Sequence, residues 1–136
     1  MNILVIDGQG GRLGCQMVRS IAEKYPGARL MAVGTNSAAA AAMAKAGAHQ
    51  AAAGENPIIV ACRKADIIIG PIGIVIADSL FGEITPAMAV AVAQSDAVRI
   101  LLPVNRCGNI VAGVQELSLT ALISDAMAKL EGVMQE

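Results

Sequence analysis

The sequence predicts a doubly wound α/β domain, Rossmann-like, with a mostly parallel five-stranded sheet, a short extra strand and helices on both faces. Three observations predict it. Short apolar runs, such as "NILVI" (2–6) and the isoleucines of "DIIIG" (66–70), have the composition of strands buried on both faces. Nearly every such run is followed by a segment of helical period. Glycines or small polar residues stand where strand hands over to helix. A chain of 136 residues has room for a single domain, 1–136, and not for a separate substrate domain.

The elements follow in order. After strand one, Leu13, Met17, Val18, Ile21 and Ala22 share one helical face that stops at "YPG". "ARLMAVG" (28–34) is the second strand, and Asn36 or Ser37 caps an alanine-rich helix ending at Gly47. Its alanine run, 38–42, has high helix propensity and side chains small enough to lie close against a sheet. A short strand near 49–53 leads to "GENP", where Asn56 as cap and Pro57 at the first helical position start a helix to about Lys64. After the fourth strand, Thr85 and Pro86 repeat that signal before "AMAVAVAQ"; "VRILLPV" (98–104) is the fifth strand. "NIVAGV" (109–114) reads as a short antiparallel extension, and a last helix starts near Ser118. The Rossmann-like series gives the strand order 3-2-1-4-5, and the alternative flavodoxin-like order would place strand three beside strand one.

The stretch most suggestive of chemistry is "IDGQGGRLG" (6–14), at the carboxyl end of strand one and the start of helix one. A glycine turn there offers backbone N–H groups and a helix dipole to phosphate. Its spacing, G-x-G-G-x-x-G over Gly8, Gly10, Gly11 and Gly14, is a variant of the dinucleotide fingerprint G-x-G-x-x-G, with Leu13 in the third glycine slot. No Lys-Ser or Lys-Thr follows, so it is not a Walker A loop. The competing reading is a tight turn without a ligand, since glycine serves wherever the backbone is strained. At the end of strand two, "VGTNS" (33–37) offers hydroxyl and amide groups and neither the acid that selects NAD nor the base that selects NADP.

Ligands of open parallel sheets bind beyond the carboxyl ends of the strands. Asp7–Gly14, Thr35–Ser37, Gly54–Asn56, Gly70–Gly73 and Asn105–Cys107 are the segments expected there. The candidate binding residues are Gly8, Gly10, Gly11, Arg12, Leu13, Thr35, Asn36, Gly70, Gly73, Asn105 and Arg106, around a phosphate-containing ligand such as an adenine nucleotide or NAD(P). Backbone N–H groups from Gly10 to Leu13 face the anion in this reading, with Thr35 and Asn36 beside a ribose. Arg106 approaches from strand five to grip phosphate or carboxylate at two points, against the alternative of an exposed loop charge. The segment Gly70–Glu83, 14 residues without a clean period, has the length of a lid, a binding loop or a partner contact.

Composition excludes several classes. The chain is 55% apolar with one Tyr, one Phe and no Trp, which disfavours aromatic stacking on sugars or single-stranded nucleic acid. A net charge of −1 argues against broad attraction to nucleic acid. The longest uncharged apolar stretch, 67–77, has 11 residues, against roughly 20 for a membrane span. "MNILVID" already reads as a strand, so no export signal is expected. Cys15, Cys62 and Cys107 lack metal-ligand spacing, as reduced cytoplasmic thiols do, and a single histidine excludes a histidine-rich metal centre.

Familiar catalytic sets are missing. Asp7 suits a metal or a phosphoryl group, yet an Asp beside glycine amides often caps a turn. Cys107, beside Arg106, is a candidate nucleophile, although a lone cysteine in a reduced compartment is more often inert. Cys15 and Cys62 fall within helices as packing residues. His49 starts a strand, opposite the proposed site, and reads as structural or superficial; without it no Ser-His-Asp or Cys-His system can be built. Tyr25 has Arg29, not Lys, four residues on. Self-association as a homodimer or larger assembly is expected from the apolar content and from "IGIVIADSLFG" (72–82).

The segments "VIDGQGG", "GTNS", "GENP", "DIIIGPIGI", "GEITP" and "NRC", in this order, resemble a family of short bacterial proteins catalogued as a domain of unknown function. The resemblance spans nearly the whole chain. It implies a cytoplasmic, Rossmann-like domain and supplies no catalytic residues. Three classes therefore stand open: a nucleotide-binding module such as a sensor or small subunit, a small enzyme acting on a phosphorylated or carboxylated substrate, and a structural oligomeric subunit.

Overall fold

The computed structural model describes residues 1–135. Five strands form one parallel sheet: β1 (Asn2–Asp7), β2 (Arg29–Gly34), β3 (Gln50–Ala53), β4 (Ile67–Pro71) and β5 (Val98–Leu102). Their order is β3-β2-β1-β4-β5, as expected, and all four pairings are parallel. The helices are α1 (Arg12–Lys24), α2 (Ser37–Ala46), α3 (Glu55–Lys64), α4 (Pro86–Gln94) and α5 (Leu119–Met134).

The period-two alternation of the strands splits the core into two layers. Ile3 and Val5 of β1, with Leu30, Ala32, Ile67 and Ile69, face α1, α2 and α5; Leu4 and Ile6, with Met31, Val33 and Ile68, face α3 and α4. Every one of these strand side chains is buried, which is why the strands read as unbroken apolar runs.

Local capping explains most helix starts. Asn36 Oδ1 accepts from Ala39 N at 2.9 Å, Thr85 Oγ1 from Met88 N at 3.1 Å ahead of Pro86, and Ser118 Oγ from Ala121 N at 3.1 Å. The start of α3 differs from expectation. Gly54, at φ 112°, is its N-cap, and Asn56 and Pro57 lie inside the first turn. A first-turn N–H has no intrahelical acceptor, so proline fits there without loss.

Two further expectations are corrected. The fifth strand stops at Leu102, before Pro103. The extra strand over 109–114 does not form, because residues 103–118 are irregular. Asn105, Cys107, Gly108 and Gly113 have positive φ, which breaks an extended backbone, and Ile110 stands 95% exposed. His49 is structural: its Nδ1 accepts from Leu30 N at 3.0 Å, tying the entry of β3 to β2.

The connections after β1 and β4 diverge, because α3 carries the chain from the β3 edge back across β1 to β4. That divergence opens a crevice at the carboxyl ends of β1 and β4.

Candidate functional site

The crevice is built on Asp7. Its side chain is buried at the end of β1, where Oδ1 accepts from Gly8 N at 2.8 Å and Oδ2 from Gly14 N at 2.7 Å. Burial pushes this carboxyl above its ordinary range; the two amide bonds pull it back, and the nearby charge of Glu83 pushes it further up. Asp7 is thus a turn-capping residue wired into the start of α1. Gly11 N then donates to Gly8 O at 2.9 Å, and Cys15 N to Gly11 O at 2.8 Å. Gly10, Arg12 and Leu13 keep backbone N–H groups with no partner among the described residues. They lie at the wall of a cleft of ≈ 270 Å³ that Val104, Asn105 and Leu119 close from the other side.

The four glycines of the turn differ in purpose. A Cβ on Gly8 would stand 2.6 Å from Thr35 Oγ1 and 2.7 Å from Leu80; on Gly14, 2.6 Å from Met43 Sδ and 2.8 Å from Asp7 Cβ. Gly11, at φ 72°, would meet the Ala39 backbone at 2.8 Å. These three are glycine because the protein packs against them. Gly10 has nothing within 4 Å and an ordinary φ. Nothing among the described residues requires a glycine there.

Sequence reasoning missed Glu83. It reaches from the β4–α4 connection to the ends of β1 and β2, where Oε1 accepts from Gln9 N at 2.8 Å, Thr35 Oγ1 at 2.5 Å and Asn36 Nδ2 at 2.9 Å. Its partial burial pushes the carboxyl up, but the three hydrogen bonds outweigh that and hold it below the ordinary glutamate range. The acid absent from the end of strand two therefore arrives from a different loop. Only "GEITP" hinted at it, and nothing local says where that loop folds.

The other expected residues divide. Arg12 is exposed and borders the cleft, and Asn105 borders it at φ 56°. Thr35 and Asn36 are tied to Glu83, and Asn36 Nδ2 also reaches Gln9 O at 2.9 Å. Gly70 and Gly73 are buried packing positions: a Cβ on Gly73 would lie 2.6 Å from Asn105 O, and one on Gly70 would overlap Ile6 O. Arg106 does not border the cleft. Its Nε donates to Pro103 O at 2.8 Å and its Nη2 pairs with Glu116 at 3.5 Å, because the irregular segment folds back on itself. Cys107 is exposed in that segment, and Cys15 is half-buried on α1. Cys62 is buried, which pushes its thiol up to about 11 and leaves it protonated.

The segment 72–82 is part internal and part exposed. Ile74 and Leu80 are buried, Ser79 Oγ donates to Gly73 O, and only Phe81 of its large side chains stands fully exposed. Among the described residues no three His, Cys, Asp or Glu side chains gather as a metal-ligand set, and no helix is long and apolar enough to cross a membrane.

A family model described as "Domain of unknown function (DUF3842)" matches residues 2–135. The chain belongs to that family. No curated protein and no solved structure matches it. The match covers every strand and helix of this DUF3842 chain, including the turn and Glu83.

Proposed function

We propose that this DUF3842 protein binds a phosphate-bearing small molecule, a nucleotide, with its phosphate against the open half of the β1–α1 turn. The observation that carries the reading is Gly10. It has open space where its three companions are packed, and it stands beside the unpartnered N–H groups of Arg12 and Leu13 at the start of a 13-residue helix. Those N–H groups and the helix dipole favour an anion, and the Arg12 guanidinium adds a mobile charge at the rim.

A cleft of ≈ 270 Å³ falls just short of the range for small-molecule sites, roughly 300–1,000 Å³. It suits the phosphate end of a mononucleotide such as an adenine nucleotide better than the whole of NAD(P). Titration calorimetry with ADP, ATP, NAD and NADP tests the reading. The parent binds at least one of them, and Gly10→Val, which projects a side chain into the open space, abolishes that binding. A parent that binds none sinks the proposal. The second reading, a turn without a ligand, then stands on Asp7 and Glu83, which already occupy the Gly8, Gln9 and Gly14 N–H groups.

A further inference from the structure

We propose that the outer face of α3 and α4 is covered in solution by the same face of a second copy, on a two-fold axis parallel to these helices. The motivating anomaly is α4. Its sequence, "PAMAVAVAQ", carries no charge on any side, yet only Met88, Ala89 and Val92 are buried. A helix apolar all round belongs in a core. Here Ala87 is exposed and Val90 stands 50% exposed.

Those residues form one wall of a groove of ≈ 530 Å³ between α3 and α4, with Ile59 on the other wall. The groove is held firm at its lower end, where Ser95 Oγ donates to Cys62 O at 2.8 Å. Side chains as small as Ala87 and Ala91 allow another helix to approach closely, and Val90 supplies apolar area.

Charge selects the occupant. Arg63, in the last turn of α3, and Asp96, just past the end of α4, stand on opposite rims of the groove, and neither has an ion-pair partner among the described residues. Both helices run from the carboxyl toward the amino edge of the sheet, so both charges lie at the same end. A two-fold axis parallel to the helices sets α3 of one copy against α4 of the other at equal height. It therefore sets each Arg63 against the Asp96 of the other copy, giving two ion pairs around an apolar centre. An axis across the helices would separate these charges to opposite ends. The self-association expected from 72–82 is thereby assigned to a different face, since Ile74 and Leu80, two of its large aliphatic side chains, are buried in the chain's own core.

Size-exclusion chromatography with light scattering tests the interface. The parent elutes as a dimer at micromolar concentration, and Val90→Glu weakens dimerisation by about a hundredfold or more, by burying an unpaired charge. Arg63→Asp and Asp96→Arg each weaken it, and the double variant recovers most of the loss because the pairs re-form with reversed sign. Circular dichroism confirms that each variant is folded; all three positions are exposed in the single chain. A monomeric parent, an unaffected Val90→Glu dimer, or a double variant no better than its single parents overturns the proposal.

Discussion

The two halves of the β1–α1 turn share a sequence motif and differ in physical state. On the side of β2, Gly8, Thr35, Asn36 and Glu83 interlock with no space for a methyl group on Gly8. On the side of β4, Gly10, Arg12, Leu13 and Asn105 border open space, and the N–H groups of Gly10, Arg12 and Leu13 have no partner among the described residues. The lesson is that a glycine signature mixes three requirements: close packing at Gly8 and Gly14, positive φ with packing at Gly11, and free approach at Gly10. Only the last bears on a ligand.

The contrast breaks most visibly at Gly11. Gly11→Ala puts a Cβ on a left-handed residue and against the Ala39 backbone, and is expected to cost about 2–4 kcal/mol in urea unfolding. Gly10→Ala should stay within about 0.5 kcal/mol of the parent, since it touches nothing. Equal losses at the two positions would erase the distinction between the halves.

The two carboxylates sharpen the comparison through pH. Glu83 is held below its ordinary range, so its contribution is present above that range and is lost as pH falls through its lowered value. Asp7 is held above its ordinary range, so its contribution is present in acid and is lost as pH rises through its raised value. Measured against Glu83→Gln, the parent's advantage should therefore shrink toward acid; measured against Asp7→Asn, it should grow. For Glu83 the neutral-pH difference is expected at about 1 kcal/mol or less, because water reaches this rim. Urea midpoints across the acid range check both slopes, and slopes of the same sign would refute the assignment.

The smallest effect is expected at Arg106. Its guanidinium is turned onto Pro103 O and Glu116, whose side chain is 91% exposed. Arg106→Ala should change stability by about 0.5 kcal/mol or less and leave nucleotide affinity unchanged. Arg12→Ala should weaken binding by about 1.5–3 kcal/mol, the range for a hydrogen bond to a charged group. The reverse ranking in titration calorimetry would move the anion toward the 103–118 segment.

By itself the sequence determined the fold class, favoured the observed strand order over the flavodoxin-like one, and marked the helix starts at Asn36 or Ser37, at Thr85 and near Ser118. The signals involved are local: an apolar run buried on both faces, or a cap that reaches three residues ahead. It also placed the glycine turn at the carboxyl end of β1. Only the tertiary structure decided what each glycine is for, because the atoms that crowd Gly8, Gly11 and Gly14 come from Thr35, Ala39, Met43 and Leu80, which the fold brings from other segments. The same holds for Glu83, which meets Gln9 across 74 positions of chain, and for Arg106, whose partners lie within its own irregular segment. A side chain's type states which bonds it can make, but the path of the loop that carries it, set by long-range packing with no local period, selects the partner.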